Sequence, residues 1–140
     1  MGKINFGRVL LGGIVAGVIL NVGEWLLNGM VLHAQHLALL KKCGFSEPDA
    51  KFLIVVVPLT FVLGIVTVLG YAAIRPRFGA GPKTAIIAAL FAWFGVALFN
   101  NVIAAGLGIM PPNVLALLLG WELIEFLLAT LVGAALYKEA

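Results

Sequence analysis

Charge is scarce in this chain: only 11% of its 140 residues are Asp, Glu, Lys or Arg, against roughly 25% in an ordinary soluble domain. That shortage excludes a soluble globular fold. Cysteine is nearly missing as well. The lone Cys43 excludes an intramolecular disulfide and any multi-cysteine metal or redox motif. The net charge is +3, but the cations form no cluster beside stacking aromatics, so a nucleic-acid groove is excluded too. Nucleophilic catalysis needs a Ser or Cys with a base in reach. Ser46 reads instead as a helix cap, and Cys43 is flanked by Lys41 and Lys42. No phosphate-binding glycine loop occurs, and Gly79-Ala80-Gly81-Pro82 reads as a turn. The chain is not expected to be an enzyme.

What is present is apolar length. Hydrophobic residues make up 63% of the chain, and four stretches reach the about 20 residues a membrane-crossing helix needs. They are Val9 to Leu32, Phe52 to Ile74, Ala85 to Ile109, and Val114 to Tyr137. The predicted fold is all-α: a single polytopic membrane domain built as an antiparallel four-helix transmembrane bundle. Ser46 with Asp49 reads as a capping box opening the second span. Gly81-Pro82 precedes the third, and Pro111-Pro112-Asn113 offers an N-cap for the fourth. The segment 33–51 is interfacial. In it His33 to Lys42 reads as a short amphipathic extension, with Gly44 ending the helix.

The first span follows Lys3 and Arg8 but is too long for a signal peptide and carries Glu24, so it reads as retained. The Met1-Gly2 start has the glycine of a myristoylation motif but puts Phe6 where that motif needs Ser or Thr. Lys3, Arg8, Arg75, Arg77, Lys83 and Lys138 fall on one side; Lys41, Lys42 and Lys51 fall on the other, partly balanced by Glu47 and Asp49. Both termini are therefore expected on the cytoplasmic side. Arg75, Arg77 and Lys83 read as topology signals in contact with anionic lipid headgroups.

Polar residues inside the spans carry the remaining information. In the first span Gly13, Gly17, Asn21, Glu24 and Asn28 fall within an arc of about 80°, as do Leu118, Glu122, Glu125, Ala129 and Gly133 in the fourth. Thr60, Gly64 and Thr67 share a face in the second span, and Ala97, Asn101, Ala104 and Gly108 in the third. Such small-residue stripes let backbones approach closely. Counting rise from each span's midpoint places Asn21, Glu24, Asn100, Asn101, Glu122 and Glu125 within roughly 6 Å of one depth. This predicts a common polar layer and a candidate proton or cation site.

Three carboxylates in that layer have no cationic partner within the spans. An ionised carboxylate at the bilayer centre costs roughly 2.5 kcal/mol or more. Three arrangements resolve this: protonated carboxyls bonded to Asn amides, a bound proton or metal cation, or a neighbouring subunit or water-filled cavity. Plain interhelical hydrogen bonding accounts well for Asn28 and Thr67, and less well for glutamates where Gln would serve. Glu122 and Glu125 lack the histidine of Glu-x-x-His di-iron pairs. His33 and His36 share a helical face and form a weak metal, haem or pH-sensing pair without a carboxylate. Trp25, Trp93 and Trp121 lie within the spans and read as lipid- or protein-packing residues, with pigment or quinone contact as the sharper reading. No cofactor follows from the sequence.

At YAAIRPRFGAGPKT, Tyr71 to Thr84, and GWELIE, Gly120 to Glu125, the chain resembles small, uncharacterised bacterial four-span membrane proteins. The resemblance implies a bacterial inner membrane and no assigned activity. Small multidrug exporters and fluoride channels are of similar size, but their residue patterns are missing, so no site is carried over. The expected role is a non-catalytic membrane protein that self-associates or serves as an accessory subunit, in contact with the lipid bilayer and not with nucleic acid. The alternative is a small oligomeric channel or proton- or cation-coupled transporter using Glu24, Glu122 and Glu125.

Overall fold

The computed structural model describes residues 3–139; Met1 and Gly2, on which the lipidation motif falls, lie outside the described residues. Among the described residues the chain is all-helical, with no strand. In order come α1 (Phe6–Leu26), a π-helical turn (Leu27–Val31), α2 (His33–Lys42), α3 (Ala50–Phe78), α4 (Pro82–Trp93), a second π-helical turn (Phe94–Leu98), α5 (Phe99–Gly106) and α6 (Pro112–Ala135). Four continuous helices are long and apolar enough to cross a membrane: Phe6–Val31, Ala50–Phe78, Pro82–Gly106 and Pro112–Ala135. At 1.5 Å per residue, even the shortest exceeds the roughly 30 Å of a hydrocarbon core.

Local chemistry sets where each helix starts and stops. The Asn5 side chain accepts the Arg8 N–H at 3.1 Å and opens α1 three residues earlier than the apolar run alone implies. α3 is capped by Asp49, which accepts from Lys51 N at 3.0 Å and Phe52 N at 3.1 Å. The expected Ser46 cap is therefore corrected. Pro48 disfavours helical backbone at Glu47, so the helix cannot start that early. Pro82 and Pro112 each open a helix, where a missing N–H costs nothing. Asn113 is thus already inside α6 and is not its cap. Gly44 and Gly79 adopt left-handed backbone, at φ 75° and 87°, and close α2 and α3 as the glycine signals indicate.

Close packing runs through glycine. A Cβ at Gly13 would strike Ile65 of α3, and one at Gly17 would strike Phe61. The α3 partner number falls as the α1 number rises. Gly12 meets the Gly133 backbone of α6, and eleven residues further along α1, Gly23 meets Glu125, so this pair also runs in opposite senses. α4 packs on α6 and, less extensively, on α3.

The packing is uneven along the helices. The buried residues of α3 are Gly64, Thr67, Val68, Tyr71 and Ala72, all in its second half. Those of α4 are Thr84, Ala85, Ala88 and Ala89, all in the first half of the continuous helix Pro82–Gly106, and α5 has none. For α3 and the α4–α5 helix contact is therefore dense at the end carrying the termini and sparse at the end carrying α2, whereas α1 and α6 stay packed there through a second core of Leu27, Leu32, Val114 and Leu118. Leu53, Ile54, Val55 and Leu59 of α3 are each more than half exposed. At the dense end Tyr71 and Tyr137 meet edge to face at 6.0 Å. Their hydroxyls accept from Gly81 N at 3.2 Å and Asn5 N at 3.4 Å.

Candidate functional site

Three glutamates within the long apolar helices converge between α1 and α6. Glu24 comes from α1, and Glu122 and Glu125 from consecutive turns of α6. Glu125 is 5% exposed. Its carboxyl lies over Gly23, where any Cβ would overlap it, so a glycine on α1 makes the room that a carboxylate on α6 occupies. One carboxyl oxygen accepts from Trp121 Nε1 at 3.2 Å. The other, Oε1, is buried with no hydrogen-bond partner. Glu24 adjoins Gly23, which meets the Glu125 carboxyl, and Glu122 lies one turn from Glu125, so the three groups are gathered at one level of α1 and α6.

Each remaining glutamate has an amide. Asn28 Nδ2 donates to Glu24 Oε2. Asn101 Nδ2 donates to Ala97 O at 2.9 Å and reaches Glu122 Oε2 at 3.4 Å. Both links involve the π-helical turns: Asn28 lies inside the first, and Ala97 inside the second. In the first, the Leu32 N–H bonds back five residues to Leu27 O at 2.7 Å. Such single-turn widenings often occur at functional sites, because the extra residue re-aims neighbouring side chains.

The other residues of the expected layer go elsewhere. Asn21 donates to Gly17 O at 2.8 Å and reaches Val57 O at 3.4 Å, tying α1 to α3 one turn before the cluster. Asn100 is exposed and bonds to its own helix, at Gly95 O and Val96 O, so the structure sets it apart from the glutamates. Neighbouring helical residues point about 100° apart, and of the two asparagines only Asn101 is turned towards α6. Thr60 also bonds within its helix, to Val56 O. Trp93 Nε1 donates to Leu119 O at 3.2 Å, joining α4 to α6, while Trp25 is exposed.

Outside the cluster, Arg75 is largely folded into the chain. It pairs with Glu139 at 3.2 Å and stacks over the Tyr137 ring at 5.5 Å. Arg77 and Lys83 are exposed. His33 is exposed and His36 half-buried, with the His36 imidazole pushed below the usual histidine value by burial and then by His33. Among the described residues no group of three or more His, Cys, Asp or Glu side chains is disposed to hold a metal ion. What the cluster offers chemically is three carboxyls, two amide donors, an indole donor and one open acceptor.

Sequence reasoning found the glutamates but missed Gly23, the π-helical turns and the Trp121 bond. The one available signal was the spacing of Trp121 four residues before Glu125, which puts the two side chains on one helical face. No family model, curated protein or solved structure matches the chain.

Proposed function

We propose that the chain is an integral protein of a bacterial inner membrane, an antiparallel four-helix bundle with both termini cytoplasmic. In this reading it is a non-catalytic subunit that self-associates or joins a larger membrane complex. The observation that carries it is the sparse packing at the α2 end, where the first half of α3 and all of α5 bury nothing while three glutamates lie between the neighbouring helices. Helices associate in lipid through close packing and polar contacts, and here the chain leaves a packing face and a polar cluster next to each other. The opposed registers of α1 with α3 and α6 support the antiparallel arrangement. The excess of cations at the termini end supports the orientation. Arg77 and Lys83 are free to meet anionic headgroups there. The test is cross-linking in native membranes: Ile54→Cys in a Cys43→Ser background should give a discrete cross-linked species. Only uncross-linked chain, at Ile54 and equally at Leu53 and Leu59, would contradict the reading.

The unpartnered Oε1 of Glu125 favours a second reading, a proton-coupled pathway through Glu24, Glu122 and Glu125. Intramembrane ionisable groups commonly mark such relays. In liposomes, wild-type protein should then dissipate an imposed pH gradient and Glu125→Gln should not. No flux above protein-free vesicles would sink it.

A further inference from the structure

The α2 end also holds an open cleft of about 610 Å³, separate from the carboxyl cluster. One wall is α2, with Gln35, His36, Leu39 and Lys42; the other is the α5–α6 turn and the start of α6, including Met110 and Leu115. Its volume is typical of small-molecule sites, which run from roughly 300 to 1,000 Å³. The two walls differ in chemistry. Every side-chain hydrogen-bond donor lies on α2, and neither Asp nor Glu lines the cleft. The opposite wall is apolar and stiff: Gly108 turns with φ 73°, and Pro111 and Pro112 offer no backbone N–H. A ligand suited to both walls has an anionic head and an apolar body, and the space takes one acyl chain, not two.

We propose that this cleft binds a single-chain anionic amphiphile of the fatty-acid class, its carboxylate at Lys42 and His36 and its chain along Leu39, Met110 and Leu115. Lys42 supplies a fixed positive charge and its donors. His36 supplies an imidazole N–H at the edge of the same wall. The site does not depend on the glutamates or on any partner subunit.

The chain carries its own reporter, since Cys43 is its only cysteine, is exposed and adjoins Lys42. Full-length protein in phosphatidylcholine nanodiscs, labelled at Cys43 with an environment-sensitive fluorophore, is titrated with oleate and with methyl oleate. A saturable response to oleate is expected. It should weaken by about tenfold or more in Lys42→Gln, the loss of one charge-assisted contact, and similarly for the uncharged ester. Leu115→Trp should fill the cleft and abolish the response at unchanged helix content. Equal, non-saturating responses to acid and ester would overturn the proposal, as would an unchanged titration in Lys42→Gln. Loss of the oleate response in discs containing phosphatidylglycerol would assign the site to a diacyl lipid instead, and so would overturn it too.

Discussion

Gly23 and Glu125 form a size-matched pair, and it is at single residues that the carboxyl cluster is most exposed to test. A methyl group at position 23 has no room unless the Glu125 carboxyl moves; moving it breaks the Trp121 bond of a buried side chain, at a cost of about 1 kcal/mol. Gly23→Ala should lower the thermal midpoint in detergent, while Gly120→Ala, where an added Cβ meets nothing within 4 Å, should not. In a double-mutant cycle the Gly23→Ala penalty should vanish on a Glu125→Ala background. Additive penalties would show that the two residues do not meet. Much of this scale was hidden in the sequence. Glu24, Glu122 and Glu125 stand out because charge inside an apolar run is rare. Gly23 looks like any other packing glycine until its partner across the helix interface is known. Arg75 likewise reads as a lipid-facing cation, since its contacts with Tyr137 and Glu139 span more than 60 residues of sequence.

At the scale of elements, the apolar runs located all four long helices because membrane-crossing length is a property of composition. Their exact ends depended on single caps, which is why Asp49 displaced Ser46. The π-helical turns had no sequence signature; they arise where one extra residue is absorbed without breaking the helix, and they aim Asn28 and Asn101 at the glutamates. α2 is the element whose stability should depend on pH. The His36 value is lowered in the folded protein, so the neutral form is favoured. Its contribution is therefore fully present above the ordinary histidine value of about 6.5 and is lost as pH falls through the lower, folded value. The charged and titratable neighbours on that element are His33, Lys41 and Lys42, and the facing α5–α6 turn carries none. The protection factors of the α2 amides, the intrinsic exchange rate at each pH divided by the observed rate, should fall between pH 7 and pH 5, and His36→Gln should flatten that change. A wild-type profile that is equally flat would contradict the assignment.

For the whole molecule, the decisive feature is the contrast between its two ends. Tyr71, Tyr137, Arg75 and Thr84 lock the helices together where the termini lie, with the Thr84 hydroxyl donating to Gly79 O at 2.7 Å. At the α2 end the first half of α3 and α5 present bare apolar faces beside a cluster of carboxyls. Lipid can cover such apolar side chains, but a neighbouring helix covers them with closer packing. Neither the contrast nor its meaning was legible from periodicity, because stripes of small residues run along all four spans while close packing occupies only part of α3 and of the α4–α5 helix. The most direct measurement is the number of polypeptides in the particle extracted from its own membrane, by native mass spectrometry in a mild detergent. A defined multimer or a fixed stoichiometry with a second membrane protein is expected, and it should be lost when Leu53, Ile54 and Val55 are replaced by bulkier tryptophans. A homogeneous single chain would contradict the account.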